Sequence, residues 1–368
     1  MNKKFINQMK PSYGKEEIEA VNKYLKSGAW LTEFKKTREF EEQIAKFTGA
    51  KYCSVVLNGT VSLFIALKAL NIGQGDEVIV PDITMAATPN AVILAGAKVV
   101  FVDIERESLC LDVDKTEKAI TKKTKAIMHV SLNGRAGELE RLNKICKKNS
   151  IYLIEDAAQS LGSFYKGKHL GTHGIVGSFS FSTPKIITTG QGGALITNDL
   201  EVFKKIKLLK DFGRKKGGSD FYEKVGWNFK FTDIQAIIGI EQMKRLKERI
   251  GKKKEIFRLY QKCLSGVKEV EFIKTNLREV PPWFVDIFVP NAQKLIDFLK
   301  KQGIGSRLIY PALHSQPAYR RHPLVKNLRD YSVSSKIAKR GLWLPSFVFL
   351  KKSQIKYICK NIKEFYES

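Results

Sequence analysis

The sequence has few cysteines, no long hydrophobic run and few acidic residues relative to basic ones. Its five cysteines are widely spaced and no two form a CxxC pair, so neither a disulfide framework nor a cysteine zinc site is indicated. No segment approaches the ~18 consecutive apolar residues of a membrane span, and the N-terminal segment has no apolar run of signal-peptide length. We therefore expect a soluble, cytoplasmic protein.

The charge is unbalanced, because 64 lysines and arginines stand against 37 aspartates and glutamates, for a net charge of +27. This excess favours an anionic partner, which could be a nucleic acid, a membrane surface or a phosphorylated small molecule. Two basic stretches, residues 204–216 and 244–254, lack the interleaved aromatic residues of single-strand nucleic-acid platforms. We interpret them as solvated helix faces, and a basic nucleic-acid-binding protein remains an alternative.

The chain is long enough for two domains, and its 43% hydrophobic residues can form a sizeable core. From residue 50 onward, short apolar runs alternate with longer helical patterns, which is typical of a parallel sheet covered by crossover helices. The predicted strands are 52–57, 77–80, 98–102, 126–130, 152–154, 177–182 and 194–197. A helix predicted over 233–249 ends in a charge run at 251–255, and a smaller α+β domain follows.

Polar residues follow two of these strands. Residues 57–62 run from a strand into a helix, where free backbone N–H groups suit a phosphate; an ordinary capped helix start is the alternative. Glu155 and Asp156 end another apolar strand, where a carboxylate needs a cationic or hydrogen-bonding partner. A metal ion, a protonated ring nitrogen of a cofactor or a helix start capped by Asp156 would each satisfy this need.

A third segment, residues 178–193, places Lys185 after a serine-rich strand and before a glycine-rich turn. A lysine in a partly desolvated pocket can act as a nucleophile or form a Schiff base, although most lysines are solvated surface charges. The glycines also suit a plain hairpin turn. Together, the three segments suggest a cofactor with a phosphate, a pyridinium nitrogen and an aldehyde, which describes pyridoxal phosphate.

The chain resembles the DegT/DnrJ/EryC1/StrS family of sugar-nucleotide aminotransferases, within fold type I of the pyridoxal-phosphate enzymes. The resemblance runs from about residue 30 to the C-terminus. Its motifs are N-G-T at 58–60, P-x-x-T-x-x-A-T at 81–88, E-D-A-A-Q at 155–159, S-F-S-F-x-x-x-K at 178–185, T-G-x-G-G at 189–193 and G-W-N-F-K-F-T-D at 226–233. It implies a large domain, residues 1–245, with a mostly parallel seven-stranded sheet, and a smaller C-terminal α+β domain, residues 246–368.

The resemblance also implies roles for individual residues around pyridoxal phosphate. Lys185 would form the Schiff base with the cofactor and then shuttle a proton. Asp156 would pair with the pyridine nitrogen and keep it protonated, and Gln159 would lie on the side of the phenolic oxygen. The phosphate would be held by Gly59, Thr60, Val61 and Ser180.

Further expectations concern the subunit and two departures from the family pattern. Asn228 would reach the cofactor phosphate of a neighbouring subunit, so a homodimer is expected. Met85 stands where many members stack an aromatic ring on the cofactor, and Gln191 stands where many have glutamate. Related sugar 3-dehydratases have histidine in place of the lysine, so Lys185 favours transamination over dehydration.

Residues 305–317 and 344–347 resemble the GDP-perosamine synthase branch of the family. That branch transfers the amino group of glutamate to C4 of a GDP-linked 4-keto-6-deoxyhexose by a ping-pong reaction. Arg307 and His314 are candidate contacts to the sugar or the diphosphate, and Trp30 is a candidate to line the site. A loop histidine and a packing tryptophan are the alternatives for His314 and Trp30, and a UDP- or dTDP-linked substrate or amination at C3 stays open.

Two histidines four residues apart, His169 and His173, would suit a metal ion if they lay on a helix. Glycines at 171 and 174 break any such helix, so we interpret this segment as a loop. No metal site is therefore predicted.

Overall fold

A computed structural model describes residues 5–215, 217–328 and 330–367. Within these residues the strands, numbered β1 to β13, are Tyr52–Val56, Glu77–Pro81, Lys98–Val102, Thr124–Val130, Tyr152–Asp156, Phe164–Tyr165, Lys168–His169, Val176–Ser180, Gly193–Thr197, Val285–Phe288, Arg307–Leu308, Val325–Lys326 and Gly341–Leu344. The α-helices, numbered α1 to α13, are Lys15–Lys26, Lys35–Thr48, Gly59–Ala69, Ala87–Leu94, Val113–Ala119, Leu139–Lys148, Leu200–Lys210, Asp233–Lys244, Leu246–Cys263, Ala292–Lys301, Pro317–Arg320, Ser332–Arg340 and Lys352–Glu367.

The main sheet has the strand order β1-β9-β8-β5-β4-β2-β3-β12. All neighbours are parallel except β9, which is antiparallel to both β1 and β8. Seven of these strands lie between residues 52 and 197, as predicted, and β12 extends the sheet at the β3 edge. This arrangement confirms the predicted α/β class with a mostly parallel sheet.

The strands of the main sheet are apolar along their length because helices cover both faces. Every residue of β2 is buried, and so are the last four residues of β3. Helix α3 buries its apolar residues from Leu63 to Leu67 against one face, while Leu139 and Leu142 of α6 belong to a cluster on strands β2 to β5. The sheet is therefore a rigid support whose carboxyl edge positions the residues that follow each strand.

The C-terminal part contains a second, antiparallel sheet with the order β10-β13-β11. Helices α9, α10 and α13 pack on it around a separate apolar cluster. Its connections to the rest of the chain include the bridge between Ile6 and Ile304 and the ion pair between Arg135 and Asp286 of β10, and β12, also from the C-terminal part, pairs with β3. The division between residues 245 and 246 stays a prediction.

The helix predicted over 233–249 was wrong at its end. The structure has α8 over Asp233–Lys244 and then α9 over Leu246–Cys263, so the charge run at 251–255 lies inside a helix. Helix α9 continues because Ile256, Phe257 and Tyr260 pack into the C-terminal core on its other face. Among the described residues, no helix is both long and apolar enough to cross a membrane.

Two lysines in the basic stretches are buried, although both stretches were expected to be solvated helix faces. Lys210 donates to the carbonyl oxygen of Val55 at 2.9 Å and pairs with Glu33 at 2.8 Å and Glu41 at 3.4 Å. Lys253 donates to the carbonyl oxygen of Ser346 at 2.7 Å. Their partners come from distant segments, so the sequence pattern alone did not reveal them. Lys216 lies outside the described residues.

Candidate active site

The candidate site lies at the carboxyl edge of the main sheet. Strands β1, β8, β5 and β2 all end at this edge, because β1 runs in the same direction as β8 through their shared antiparallel neighbour β9. The residues that follow these strands are therefore brought together, as expected for an open α/β sheet.

Asp156, the last residue of β5, is buried at this edge. Its Oδ2 accepts a hydrogen bond of 2.8 Å from the hydroxyl of Thr88, and its Oδ1 accepts one of 3.2 Å from the N–H of Ala158. Burial raises the pKa of Asp156, whereas these two hydrogen bonds and the charge of Lys185 act against that increase. A buried carboxylate with only two donors favours a further cationic partner.

Lys185 follows β8 and is half-buried in a small cleft that Gln159, Ser180 and Trp283 also line. Burial lowers the pKa of Lys185 to about 8; the charge of Asp156 opposes this shift, and the charge of Arg307 adds to it. Its Nζ lies 4.1 Å from the centre of the Trp283 ring. A lysine with this pKa supplies about a tenth of its population as free amine at pH 7, far more than an ordinary lysine does, and nucleophilic chemistry requires that form.

The start of helix α3 lies beside Ser180. A Cβ added to Gly59 would meet the Cβ of Ser180 at 3.0 Å, so the glycine permits this close approach. Asn58 caps the helix by accepting from the N–H of Val61 at 3.0 Å. The N–H of Val61 is therefore occupied, and the free donors of the first turn in the described structure are those of Gly59 and Thr60.

Gln159 is held by Asn133, a residue that the sequence analysis did not single out. The Oε1 of Gln159 accepts from the N–H of Asn133 at 2.7 Å. The side chain of Asn133 then makes two hydrogen bonds with the backbone of Phe284, at 2.6 and 2.8 Å. These bonds leave the amide NH2 of Gln159 available to a ligand and connect it to the C-terminal part of the chain.

Three predicted residues are more exposed. Met85 lies just before α4 with 52% of its surface exposed. Trp30 is 66% exposed and hydrogen-bonds through its indole N–H to the hydroxyl of Thr32. Asn228 is exposed and forms a backbone bridge with Asp211. The structure gives Asn228 and Trp30 no contact with Lys185 or Asp156 within the described residues of this one chain.

Arg307 and His314 come from the C-terminal part. The guanidinium of Arg307 lies 4.5 Å from the centre of the Trp343 ring, and its charge reaches Lys185. His314 is anchored by Asp82, which follows β2: Nδ1 lies 2.7 Å from one carboxylate oxygen, and the backbone N–H donates to the other at 2.7 Å. His314 also stacks on Tyr331 at 4.1 Å, so it is fixed in orientation at the same edge of the sheet.

Sequence reasoning missed the roles of Thr88, Asn133 and Trp283. Thr88 ends the P-x-x-T-x-x-A-T motif at 81–88. Its position one turn after Thr84, with which it shares a hydrogen bond of 2.8 Å, is the sequence feature that could have indicated its role. Asn133 adopts a left-handed conformation at φ 55°, which sequence alone does not reveal. Trp283 lies two residues before β10, outside every motif of the sequence, so no local signal pointed to it.

The sheet topology, together with a lysine and an aspartate at its carboxyl edge beside a helix start, defines a fold type I transferase. The profile of the DegT/DnrJ/EryC1/StrS aminotransferase family matches residues 11–363. The chain belongs to this family, which confirms the resemblance seen in the sequence motifs, and it is an aminotransferase.

Similar proteins cover nearly the whole chain. A GDP-perosamine synthase of Escherichia coli O157:H7 is 35% identical over 99% of this chain and 99% of its own length. The GDP-perosamine synthase of Vibrio cholerae is 35% identical over 97% of this chain and 98% of its own. Among solved structures, Helicobacter pylori PseC, an aminotransferase involved in the biosynthesis of pseudoaminic acid, superposes with a TM-score of 0.92 at 26% identity, covering 99% of this chain and 100% of that one.

Proposed function

We propose that this protein is a pyridoxal-phosphate-dependent aminotransferase that moves the amino group of glutamate to C4 of a GDP-linked 4-keto-6-deoxyhexose. The observation that carries this proposal is the pair formed by Lys185 and Asp156 at the carboxyl edge of the sheet, where the charge of each acts on the pKa of the other. The GDP-perosamine synthases at 35% identity support the choice of substrate.

The residues at the site fit pyridoxal phosphate. When bound, this cofactor supplies an aldehyde that accepts an amino group and a ring that stabilises negative charge on the neighbouring carbon. The buried carboxylate of Asp156 would pair with the protonated ring nitrogen, because it has room for a cationic partner beside the bonds from Thr88 and Ala158. The NH2 group of Gln159 would donate to the phenolic oxygen of the ring.

The phosphate would lie at the start of α3. A helix N-terminus offers free N–H groups and the positive end of the helix dipole, and Gly59 and Thr60 carry those free donors here. The hydroxyl of Ser180, which lies beside Gly59, would add a further donor. Val61 would contribute through the shape of the turn, because its N–H donates to Asn58.

The amine of Lys185 would act as nucleophile and then as proton carrier. Burial favours the free amine. This amine would carry a proton between the substrate carbon and the cofactor. Because Lys185 is a lysine rather than the histidine of the related dehydratases, it favours transamination. Met85 would pack on the ring face with its flexible thioether.

Substrate contacts would come from Arg307, His314 and Trp30. Arg307 is exposed near Lys185 and can bind a carboxylate or a phosphate. His314 has its Nδ1 on Asp82, so its Nε2 would be the atom that meets the sugar. Trp30 offers an exposed aromatic surface. It lies close to the start of α8, because the hydroxyl of Tyr24 contacts both the carbonyl oxygen of Trp30 and the carboxylate of Asp233.

The working unit would be a homodimer in which Asn228 of each chain reaches the cofactor phosphate of the other. Apolar side chains near Asn228 support a buried surface there: Phe221 is 70% exposed and Val225 is 83% exposed. We place the enzyme in the cytoplasm, because all five cysteines are free thiols, as in a reducing compartment.

Spectroscopy on the full chain tests this function. After incubation with pyridoxal phosphate and removal of the excess, the protein should carry a visible absorption band, and glutamate should remove that band while 2-oxoglutarate is released. The Lys185→Ala variant should lack the band. A protein that stays colourless, or a band that glutamate does not change, would refute the proposal.

A further inference from the structure

Trp283 is the aromatic partner of Lys185. The Nζ of Lys185 lies 4.1 Å from the centre of the indole ring, which is within the range of a cation–π interaction. Within residues 5–215, 217–328 and 330–367, no oxygen accepts a hydrogen bond from this Nζ. The ring face therefore favours the ammonium form of the lysine, in addition to the charge of Asp156.

The indole ring is held rigidly in place. Its N–H donates to the carbonyl oxygen of Pro184 at 2.8 Å, so the ring is tied to the residue directly before Lys185. The ring also stacks on Phe284 at 4.0 Å and meets the edge of Trp343 at 5.6 Å. Because Trp283 is almost fully buried, this geometry does not depend on solvent.

Hydrogen bonds also connect the segment that carries the Trp283 ring to Gln159, on the other side of the site. The backbone of Phe284 is fixed by the side chain of Asn133, and the N–H of Asn133 holds Gln159. Trp283 therefore belongs to a continuous set of contacts that runs from Gln159 to Lys185. A ring placed in this way can set the position of the lysine side chain.

We propose that Trp283 is a positioning residue for Lys185, and that its ring face stabilises the ammonium form that the free amino group takes once it has accepted a proton. This inference rests on the proposed function, in which the amino group of Lys185 is free during part of each cycle. The ring opposes the effect of burial and of Arg307, both of which favour the neutral amine. It also keeps the amine beside the reacting atoms.

Competitive labelling of the cofactor-free full chain tests this role. Acetic anhydride reacts with free amines, so the pH at which Lys185 reaches half of its maximal labelling rate, read by peptide mass, reports its ammonium-to-amine ratio. The wild-type midpoint is expected at about 8. Trp283→Leu should lower the midpoint by about half to one pH unit, a roughly three- to tenfold change in that ratio.

Two further variants separate the ring face from other effects. Trp283→Phe keeps an aromatic face but loses the N–H, so its midpoint should lie between those of the wild type and Trp283→Leu. Trp227→Phe changes a tryptophan that packs on Phe64 and Phe229 instead, and it should leave the midpoint of Lys185 unchanged. Circular dichroism confirms that each variant is folded.

A purely space-filling role for Trp283 predicts the opposite shift of the labelling midpoint. If Trp283 only fills space, Trp283→Leu admits water, relieves the desolvation of Lys185 and moves the midpoint upward. An upward shift, or no shift, overturns the proposal. Since no cofactor or substrate is present in this experiment, its failure is distinguishable from failure of the proposed aminotransferase activity.

Discussion

The hydroxyl of Thr88 donates a hydrogen bond of 2.8 Å to Oδ2 of Asp156, although Thr88 lies in α4, after β2, and Asp156 ends β5, and β4 separates these two strands in the sheet. Thr88 also hydrogen-bonds Thr84. This contact constrains the orientation of the carboxylate, and it stabilises the ionised form against the effect of burial.

Removal of this donor tests its contribution. Thr88→Ala should weaken the binding of pyridoxal phosphate about tenfold, because a hydrogen bond to a buried charged group is lost. Thr88→Ser keeps the hydroxyl and should bind nearly as the wild type does. Titration of the cofactor into the apo protein, followed by absorbance, measures both; equal affinity of Thr88→Ala and wild type would show that the contact is unimportant.

The adjacent carboxylates Glu155 and Asp156 should behave differently. Glu155 accepts hydrogen bonds from the N–H groups of Gly171, His173 and Gly174 at 2.6 to 2.7 Å, so its environment is complete without a ligand. Asp156→Asn should slow the single-turnover reaction with glutamate by about a hundredfold or more, because it removes the charge proposed to pair with the ring nitrogen.

Glu155→Gln should instead reduce stability by about 2 kcal/mol, because its amide NH2 would face backbone donors. Its single-turnover rate should stay close to that of the wild type. Urea unfolding and stopped-flow absorbance measure the two effects. Equal losses of rate in both variants would contradict the assignment of separate roles.

Gly59 is predicted to matter for the phosphate. The Cβ of Gly59→Ala would lie 3.0 Å from the Cβ of Ser180, so it would intrude where the phosphate would bind. Binding of pyridoxal phosphate should weaken about tenfold, whereas binding of pyridoxal, which lacks the phosphate, should change less. Gly251→Ala on α9, where a Cβ would meet no atom within 4 Å, is the control and should affect neither ligand. If both ligands weaken equally in Gly59→Ala, the phosphate assignment fails.

Lys185 should also influence stability in a pH-dependent way. Its pKa in the folded chain is about 8, below the ordinary value of 10.5, so the partly desolvated ammonium destabilises the fold below pH 8. This penalty decreases as the pH rises from 8 and disappears above 10.5.

Cofactor-free Lys185→Met should therefore unfold at a higher temperature than wild type at pH 7, and the difference should shrink at pH 10. Lys356→Met, which changes an exposed lysine on α13, should show no such trend. Thermal unfolding at the two pH values provides the comparison. A difference that grows with pH would have the wrong sign for this explanation.

Much of the fold could be predicted because the strands of the main sheet are apolar along their length. The strand predicted over 98–102 has the observed bounds, and the strands that carry Asp156 and Ser180 were found to within about two residues. The order of strands in the sheet and the pairing of β12 with β3 depend on contacts between distant segments. Local patterns do not encode such contacts.

The same limit applies to the site. Lys185 and Asp156 could be singled out because each follows a recognisable apolar strand within a motif. The contacts of Thr88, Asn133 and Trp283 could not, since each depends on tertiary packing. The charge of +27 was also a weak guide, because most of the residues proposed to hold the cofactor are uncharged or acidic, and Lys210 and Lys253 of the basic stretches serve internal pairs and hydrogen bonds.

Transfer of isotope-labelled nitrogen from glutamate to a nucleotide keto-sugar tests the central claim most directly. The full chain, loaded with pyridoxal phosphate, is incubated with labelled glutamate and, in separate reactions, with GDP-, UDP- and dTDP-linked 4-keto-6-deoxyhexoses, with Lys185→Ala as the control. Mass spectrometry and NMR of the products report the label and its position. We predict labelled nitrogen at C4 of the GDP sugar and none with Lys185→Ala; label on a UDP or dTDP sugar alone, or on no sugar, would contradict the account.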